Sequence, residues 1–468
     1  MNFAEELNKD NVFALMGEVA DHLGYECYVV GGWVRDLLLG RRSEDIDVVV
    51  VGSGIEMARG VARKFNNKCS LAVYKNFGTA QVKKGRLELE FVGARKESYH
   101  RESRKPIVED GTLDDDQKRR DFTVNAMAIC LNSARFGELV DPFDGMGDLE
   151  RKLIRTPMDP DITFSDDPLR MMRAVRFATK LEFEIVDDTF EAIQKNIERM
   201  DIISGERITE EMNKMMKSSN PSRGLRLMSD SGLLAKVLPE IEAMKGVDKR
   251  GDVGHKDIFE HTLRVLDGVV SKSDDLWLRW AALLHDVGKP KVKQWDDEHG
   301  WTFKNHDFIG MKMVKTLFRR LHLPMGEEMN FVQKMVEMHM RPMTLCEEGV
   351  TDSAIRRLLF DAGDDIDKLM ILCESDITSG NRAKVEQFMD NYQLVRRKLV
   401  EVEEKDRIRN FQPPVDGLEI MEMFSLQPCC TVGELKNAVK DAILDGIIPN
   451  EHDAARNFVL ERWKEMNK

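Results

Sequence analysis

Aromatic residues are scarce, at 7% of the chain, which argues against an extended surface for stacking single-stranded bases. An excess of positive charge is also missing. Seventy Lys and Arg against 83 Asp and Glu leave a net charge of −13, so the chain is not a generally basic nucleic-acid binder, although local basic patches can still hold a large RNA. No run approaches the roughly 18 apolar residues of a membrane span. The N-terminus lacks a signal-peptide pattern, so no membrane contact is expected. Cysteine is sparse, with seven scattered residues; an odd, dispersed set predicts reduced thiols and a cytoplasmic location. No internal repeat occurs. What is present is a chain of 468 residues, 42% hydrophobic, long enough for three or more globular domains.

The segment Tyr28 to Val51 concentrates the chemistry. Helical spacing over Phe13 to Leu23 leads into a short buried strand, Tyr28-Val29-Val30, then Gly31-Gly32 and a second helix, Trp33 to Leu39, that stops at Gly40. Glycines at a strand-to-helix turn let backbone approach a phosphate, and the first amides of a helix favour negative charge. Arg35, one turn in, is placed to clamp a triphosphate oxygen. In the strand that follows, Asp45 and Asp47 are two residues apart and project to one face while Ile46 faces the core. Two such carboxylates repel unless a cation lies between them, and oxygen-only ligands suit Mg²⁺. A hairpin turning at Lys84-Gly85 then presents Glu88 and Glu90 on one face, and either can supply a third carboxylate.

Gly31-Gly32-x-Val34-Arg35-Asp36-Leu37-Leu38-Leu39-Gly40 with Asp45-x-Asp47 resembles the head of the class II tRNA nucleotidyltransferases, the CCA-adding enzymes, whose head is of the DNA polymerase β type. The resemblance includes a glutamate five residues before an arginine, here Glu90 and Arg95, and so selects Glu90 over Glu88. It implies a catalytic set of Asp45, Asp47 and Glu90 with Mg²⁺. A second shared motif is Arg119-Arg120-Asp121-Phe122-Thr123-Val124-Asn125-Ala126. Its arginines can meet phosphates, and Asp121 and Asn125 can meet ribose hydroxyls. Between these motifs Lys96 to Lys118 is polar and aperiodic; it resembles the family's flexible loop associated with the final adenosine. Asp114-Asp115-Asp116 within it reads as a solubilising tip. Asp141 to Leu149 resembles the family's connecting hinge.

In Asp166-Asp167-Pro168-Leu169-Arg170-Met171-Met172-Arg173-Ala174-Val175-Arg176, acids and a proline mark a helix start. An aspartate accepts from an exocyclic amine and an arginine donates to ring positions, so together they can read a base edge. The resemblance implies a protein template for CTP and ATP in which Asp167 and Arg170 read the base, supported by Arg173 and Arg176. Asp166 stands where the family usually has glutamate. Ser204-Gly205-Glu206-Arg207-Ile208 is expected to be structural.

Further on, the apolar helix Leu276 to Leu284 ends in His285-Asp286-Val287-Gly288-Lys289-Pro290. His261 falls on the apolar stripe of Ile258, Val265 and Leu266; His339 continues that of Val332, Met335 and Val336; Asp376 continues that of Leu369, Leu372 and Cys373. Several histidines and a carboxylate on buried faces point to a shared cation. His261, His285, Asp286 and Asp376, with His306 and His339 near, resemble an HD-domain phosphohydrolase centre. That resemblance implies Mn²⁺, Fe²⁺, Ni²⁺ or Mg²⁺ and hydrolysis of a phosphoester such as a cyclic phosphate on a tRNA end. Phe411 to Gly417 reads as a linker, and Val432 to Asn450 resembles the family segment that grips the tRNA elbow.

The expected fold is α+β: a nucleotidyltransferase head with a small mixed sheet over residues 1–135, an all-helical templating neck over 136–245, an HD-type body over 246–390 and a helical tail over 391–468. The expected partners are tRNA, ATP and CTP. Competing readings are a poly(A) polymerase, a partial CC- or A-adding enzyme, and an HD phosphohydrolase whose head only binds RNA. The basic glycine-containing segment characteristic of the first is not evident around Lys75-Asn76-Phe77-Gly78-Thr79.

Overall fold

The computed structural model describes all residues except 44, 67, 76–77, 99–106, 251–252, 256, 349–350, 379–381, 407, 410 and 467–468. It divides into two compact units, Met1–Pro239 and Glu240–Lys468. It is mixed α and β, with the sheet at the N-terminal end and helices dominating the remainder.

The first unit is built on a seven-stranded mixed sheet. Its strands in chain order are β1 (Glu26–Val30), β2 (Asp45–Val51), β3 (Ser70–Tyr74), β4 (Thr79–Lys84), β5 (Leu87–Gly93) and, after a separate hairpin of β6 (Arg95–Ser98) and β7 (Ile107–Asp110), β8 (Ala128–Cys130) and β9 (Leu139–Val140). The spatial order is β3-β4-β5-β2-β1-β8-β9. The β2–β5 pair is parallel, and the other pairs in the sheet are antiparallel. Alternation decides the faces. Ile46, Val48 and Val50 of β2 and Leu89 and Phe91 of β5 are buried in one apolar cluster with Phe13 and Met16 of the helix Asn11–Leu23 and Met57 and Val61 of the helix Gly54–Lys64. Asp45, Asp47, Glu88 and Glu90 alternate with those core residues and so belong to the opposite face.

Local chemistry sets the ends of these elements. Asp10 accepts from the Val12 amide to start the helix Asn11–Leu23, and Gly24, at φ +70°, ends it. The β4–β5 hairpin turns where expected, with Gly85 at φ +63°. The stretch Lys96 to Lys118 is not one aperiodic loop. β6 and β7 pair, and the helix Leu113–Lys118 follows, closed by a capping box of Thr112 and Asp115. Cross-strand partners there are Arg95 with Asp110 and Lys96 with Glu109. Opposite charges support such a ribbon without the apolar alternation that reveals a strand. The part of the expected loop at residues 99–106 lies outside the described residues, as do 76–77 of the Lys75–Thr79 segment.

The templating helices belong to the same unit as the sheet. The helix Pro160–Asp166 ends at Asp167, and Pro168 begins the helix Leu169–Leu181, with the Asp167 carboxylate accepting from the Leu169 amide at 3.2 Å. Arg170 donates to the Arg119 carbonyl and Arg173 to Asp121, joining this helix to the motif after the sheet. The stretch expected as a hinge is a capped helix, Gly145–Arg151. Asp141 accepts from the Gly145 and Met146 amides at 2.8 Å each, and the fully buried Asp148 accepts from Thr123 at 2.7 Å.

The second unit is helical apart from small hairpins. The helices Ile258–Val270, Leu276–Leu284, Glu327–Met338 and Ile366–Asp376 bury the predicted apolar stripes. The tail packs within this unit, where Arg357 pairs with Asp441 and Asp445. Among the described residues no helix is long and apolar enough to cross a membrane.

Candidate active site and metal centre

On the open face of the sheet, Asp47 and Glu90 are register partners of the parallel β2–β5 pair, and Asp45 and Glu88 are partners one step earlier. Partners in a parallel ladder project to the same side, so four carboxylates share one face. Glu88 is ion-paired with Lys83 across the hairpin. Asp47 is partly buried. Its carboxyl is pushed up to about 6, first by burial and then by the negative charges of Asp45, Glu90 and Asp116, against the opposing pull of Arg120. A divalent cation would relieve that repulsion, and the donor set is all oxygen. These residues fit such an ion.

Gly31 approaches this cluster closely. It sits at φ +73°, and a Cβ there would fall 3.1 Å from Arg120 Nη1 and 3.4 Å from Asp47 Oδ2. The Gly31 amide itself donates to the Met127 carbonyl at 3.3 Å, so the expected phosphate-facing amide is already committed. Its neighbour Gly32 places an added Cβ 3.6 Å from Arg35 Nη2. Arg35 likewise differs from expectation. It is buried, donating to Asn125 Oδ1 at 2.7 Å and to Asp36 at 2.7 and 2.9 Å. Rather than reaching for a triphosphate, it orients Asn125.

From Asn125 the network continues. Asn125 donates to Asp121 Oδ1 at 3.1 Å, and Arg173 donates to Asp121 Oδ2 at 2.8 and 2.5 Å. Burial would raise the Asp121 carboxyl, but the Arg173 guanidinium and the Asn125 hydrogen bond outweigh it and hold it at about 2. Three separate sequence motifs therefore meet in one chain of hydrogen bonds.

Beside this network lies a pocket of about 260 Å³ lined by Arg119, Arg120, Asp121, Asp167, Leu169, Arg170, Arg173 and Arg207. Five arginines and two carboxylates give it the character of a phosphate and base-edge site. Arg176 is not among the lining residues. It is buried against Glu211 with its guanidinium 4.0 Å from the Phe177 ring, and so supports the helix from behind.

Two lining or neighbouring roles were not anticipated from sequence. Asp116, read as part of a solubilising tip, is fully buried and ion-paired with Arg119 and Arg120. Its i, i+3 and i, i+4 spacing to those arginines was the available signal. Arg207, expected to be structural, pairs with Asp167 at 3.0 Å. No local signal marks that contact, because its partner lies forty residues earlier.

In the second unit the predicted histidines and aspartates do come together. His261 Nε2 lies 2.9 Å from Asp376 Oδ1 and 3.5 Å from Asp286 Oδ2; His285 Nε2 lies 3.3 Å from Asp286 Oδ2. His306 Nε2 and His339 Nε2 lie 3.4 and 3.8 Å from Asp286 Oδ1. Burial opposes charge on His285, but the Asp286 and Asp376 carboxylates outweigh it and raise it to about 10. Burial and the neighbouring His285 hold His339 down at about 4, and burial lowers His306. Asp286 is held well below the usual carboxylate range: burial opposes this, and His285 and Lys289 override it. Asp286 Oδ1 and His285 Nε2 are buried without a hydrogen-bond partner among the described residues. Imidazole and carboxylate donors of this kind, with orphaned atoms at the centre, fit a divalent cation.

Families of known proteins match the head, the region after it and the helical second unit. The family described as "Poly A polymerase head domain" matches residues 27–155, "Probable RNA and SrmB- binding site of polymerase A" matches 182–245, and "HD domain" matches 258–379. An A-adding tRNA nucleotidyltransferase of Deinococcus radiodurans is 31% identical over 93% of this chain and 95% of its own length. The chain belongs to the tRNA nucleotidyltransferase family. A multifunctional CCA protein of Neisseria gonorrhoeae is 33% identical over 64% of this chain and 70% of its own. A crystal structure of a tRNA nucleotidyltransferase with a primer tRNA and an incoming ATP analog superposes with a TM-score of 0.58 at 25% identity, covering 82% of this chain and 98% of the other. Like other tRNA nucleotidyltransferases, this chain is an enzyme of nucleotidyl transfer, and its head and HD region are of kinds that use divalent metals.

Proposed function

We propose that this nucleotidyltransferase completes the 3′-terminal CCA of tRNA from CTP and ATP. The observation that carries the reading is the pocket in which Asp167, Arg170 and Arg173 share one lining with Arg119, Arg120 and Asp121, in the same unit as the paired Asp47 and Glu90. A base reader, a phosphate site and an acidic face are the parts that untemplated nucleotide addition needs. The relatives named for A-addition and CCA synthesis support the same substrate class.

In this reading the tRNA 3′-hydroxyl attacks the α-phosphate of the bound nucleotide and pyrophosphate leaves. Asp45, Asp47 and Glu90 would hold Mg²⁺, which would supply charge neutralisation for the triphosphate and lower the cost of deprotonating the hydroxyl. Arg120 meets phosphate. Asp121 and Asn125, fixed by Arg173 and Arg35, meet the ribose. Asp167 and Arg170 read the base edge, and phosphoryl chemistry then rests on positioning. Residues 1–135, 136–245, 246–390 and 391–468 act as head, neck, HD body and tail, the last gripping the tRNA elbow. Cys27, Cys69, Cys130, Cys373, Cys429 and Cys430 form no disulfide among the described residues, in keeping with action in the cytoplasm.

A second reading, addition of the terminal adenosine alone, is favoured by the name of the full-length Deinococcus relative. Incubating tRNAs that lack A, CA or CCA with CTP, ATP or both, and sequencing the 3′ ends, separates them. Extension of the CCA-lacking tRNA supports the first reading, and extension only of the tRNA ending in CC supports the second. ATP homopolymer would overturn both.

The HD cluster binds a divalent ion of the Mn²⁺, Fe²⁺, Ni²⁺ or Mg²⁺ type and hydrolyses a phosphoester at an RNA end. Support comes from the convergence of His261, His285, Asp286 and Asp376. Metal analysis and phosphoesterase assays of the His285→Ala variant test it, and full retention of hydrolysis would sink it.

A further inference from the structure

Two arginines of the pocket beside the acidic face are held by one carboxylate. Asp116 is fully buried, while the side chains of Arg119 and Arg120 keep 19% and 17% of their surface exposed. Asp116 Oδ1 accepts from Arg119 Nε at 3.0 Å and also from its Nη2. Asp116 Oδ2 accepts from Arg120 Nε at 3.1 Å and lies 3.0 Å from its Nη2. Each guanidinium is thus gripped along the same Nε–Nη2 edge, a two-point contact that fixes its plane as well as its position.

The anchor is itself pinned. The next residue, Gln117, is buried and donates from Nε2 to the Ala126 carbonyl at 2.7 Å and the Val140 carbonyl at 3.1 Å. The capping box of Thr112 and Asp115 closes the start of the same helix, Leu113–Lys118. On the other side of the contact, Arg120 Nη1 lies 3.4 Å from the Asn125 carbonyl. A Cβ built on Gly31 would fall 3.1 Å from that Nη1 and 3.4 Å from Asp47 Oδ2. The end of Arg120 that Asp116 does not grip therefore lies towards Asp47. One carboxylate against two guanidiniums leaves a net positive charge, and both guanidiniums line the pocket. That surplus suits an anion with several oxygens.

Resting on the reading of this pocket as the phosphate site, we infer that Asp116 is a positioning residue for nucleotidyl transfer, aiming Arg119 and Arg120 together at the triphosphate of the incoming nucleotide. Asp116 is not among the pocket's lining residues, so it acts through the two arginines. Guanidiniums already held in plane lose less freedom when the anion arrives, and that saving appears as tighter binding. The triphosphate is common to CTP and ATP. The contribution of Asp116 is therefore blind to the base, unlike that of Asp167 and Arg170, which line the same pocket.

The test uses the full chain with Mg²⁺, a tRNA ending in CC, and inorganic tripolyphosphate as a competitor that carries no base. In Asp116→Asn, the KM for ATP and the inhibition constant for tripolyphosphate should rise together by about tenfold, the scale of one lost hydrogen bond to a charged group. The ratio of kcat/KM for ATP over GTP should stay unchanged. Asp116→Glu keeps the paired charge but moves it by one methylene, so its inhibition constant should fall between those of wild type and Asp116→Asn. It supplies the measurement where Asp116→Asn misfolds, with circular dichroism reporting the fold. Arg119→Ala with Arg120→Ala should raise the inhibition constant at least as far, and adding Asp116→Asn to that pair should add nothing. A wild-type inhibition constant in either folded Asp116 variant would overturn the proposal. A loss confined to kcat, or an undiminished further effect without the arginines, would also overturn it and leave Asp116 a structural ion pair. A wild-type inhibition constant in the arginine double variant would instead overturn the phosphate-site reading itself.

Discussion

Glu90 stands directly across from Asp47 on the neighbouring parallel strand, whereas Glu88, two residues earlier, is opposite Asp45 and ion-paired with Lys83. The difference makes the two glutamates unequal. Glu90→Gln or Asp47→Asn should lower single-turnover nucleotide incorporation by about two orders of magnitude or more, the scale of removing one charge-stabilising group from an active site. Glu88→Gln should change it by less than about tenfold. Equal losses at both glutamates would remove Glu90 from the ligand set.

Arg207 holds Asp167 by a guanidinium–carboxylate contact at 3.0 Å. Freed from it, Asp167 should lose its fixed orientation towards the base. Arg207→Ala is expected to reduce discrimination between ATP and GTP by about tenfold, within the roughly 1–3 kcal/mol that a well-placed base contact supplies. Arg207→Lys should recover part of it. Ratios of kcat/KM for the two nucleotides measure the effect, and an unchanged ratio with a uniformly reduced rate would point to a purely structural arginine.

Asp121 gives a pH dependence with a definite sign. Its carboxyl is depressed in the folded protein to about 2, chiefly because Arg173 outweighs burial. A depressed acid contributes stability above its unfolded value of about 3.9, and that stability is lost as pH falls through 4 towards 2. The wild type should therefore exceed Asp121→Asn by about 2 kcal/mol at pH 6, and the gap should close between pH 4 and 2. Urea unfolding of the first unit's signal across that range tests it; a constant gap would contradict the pairing.

Gly31 combines a φ of +73° with a site where a Cβ would lie 3.1 Å from Arg120 and 3.4 Å from Asp47. Gly31→Ala should cost about 1–3 kcal/mol of backbone strain and depress nucleotide incorporation well beyond that loss of stability. Incorporation at the wild-type rate in a folded Gly31→Ala protein would show that the close approach does not matter.

The sequence by itself determined which residues could work together locally. A period of two put Asp45 and Asp47 on one face, glycine marked the Gly85 turn, and apolar stripes carried His261, His339 and Asp376 inward, because each pattern depends only on backbone geometry within a few residues. Tertiary structure decided the remainder. The register of β5 against β2 separated Glu90 from Glu88, since pairing between strands distant in sequence follows from how the sheet buries its other face. Arg35 and Arg176 turned to buried partners, and Arg207 reached Asp167, through contacts between helices that no local pattern encodes. Asp116 became a buried counter-ion and Lys96–Lys118 acquired a hairpin because charge pairing replaced apolar periodicity there. The two-sided placing of imidazoles around Asp286 came from four helix ends meeting at one carboxylate. Sequence supplied the donors, and packing supplied the geometry that brings them together.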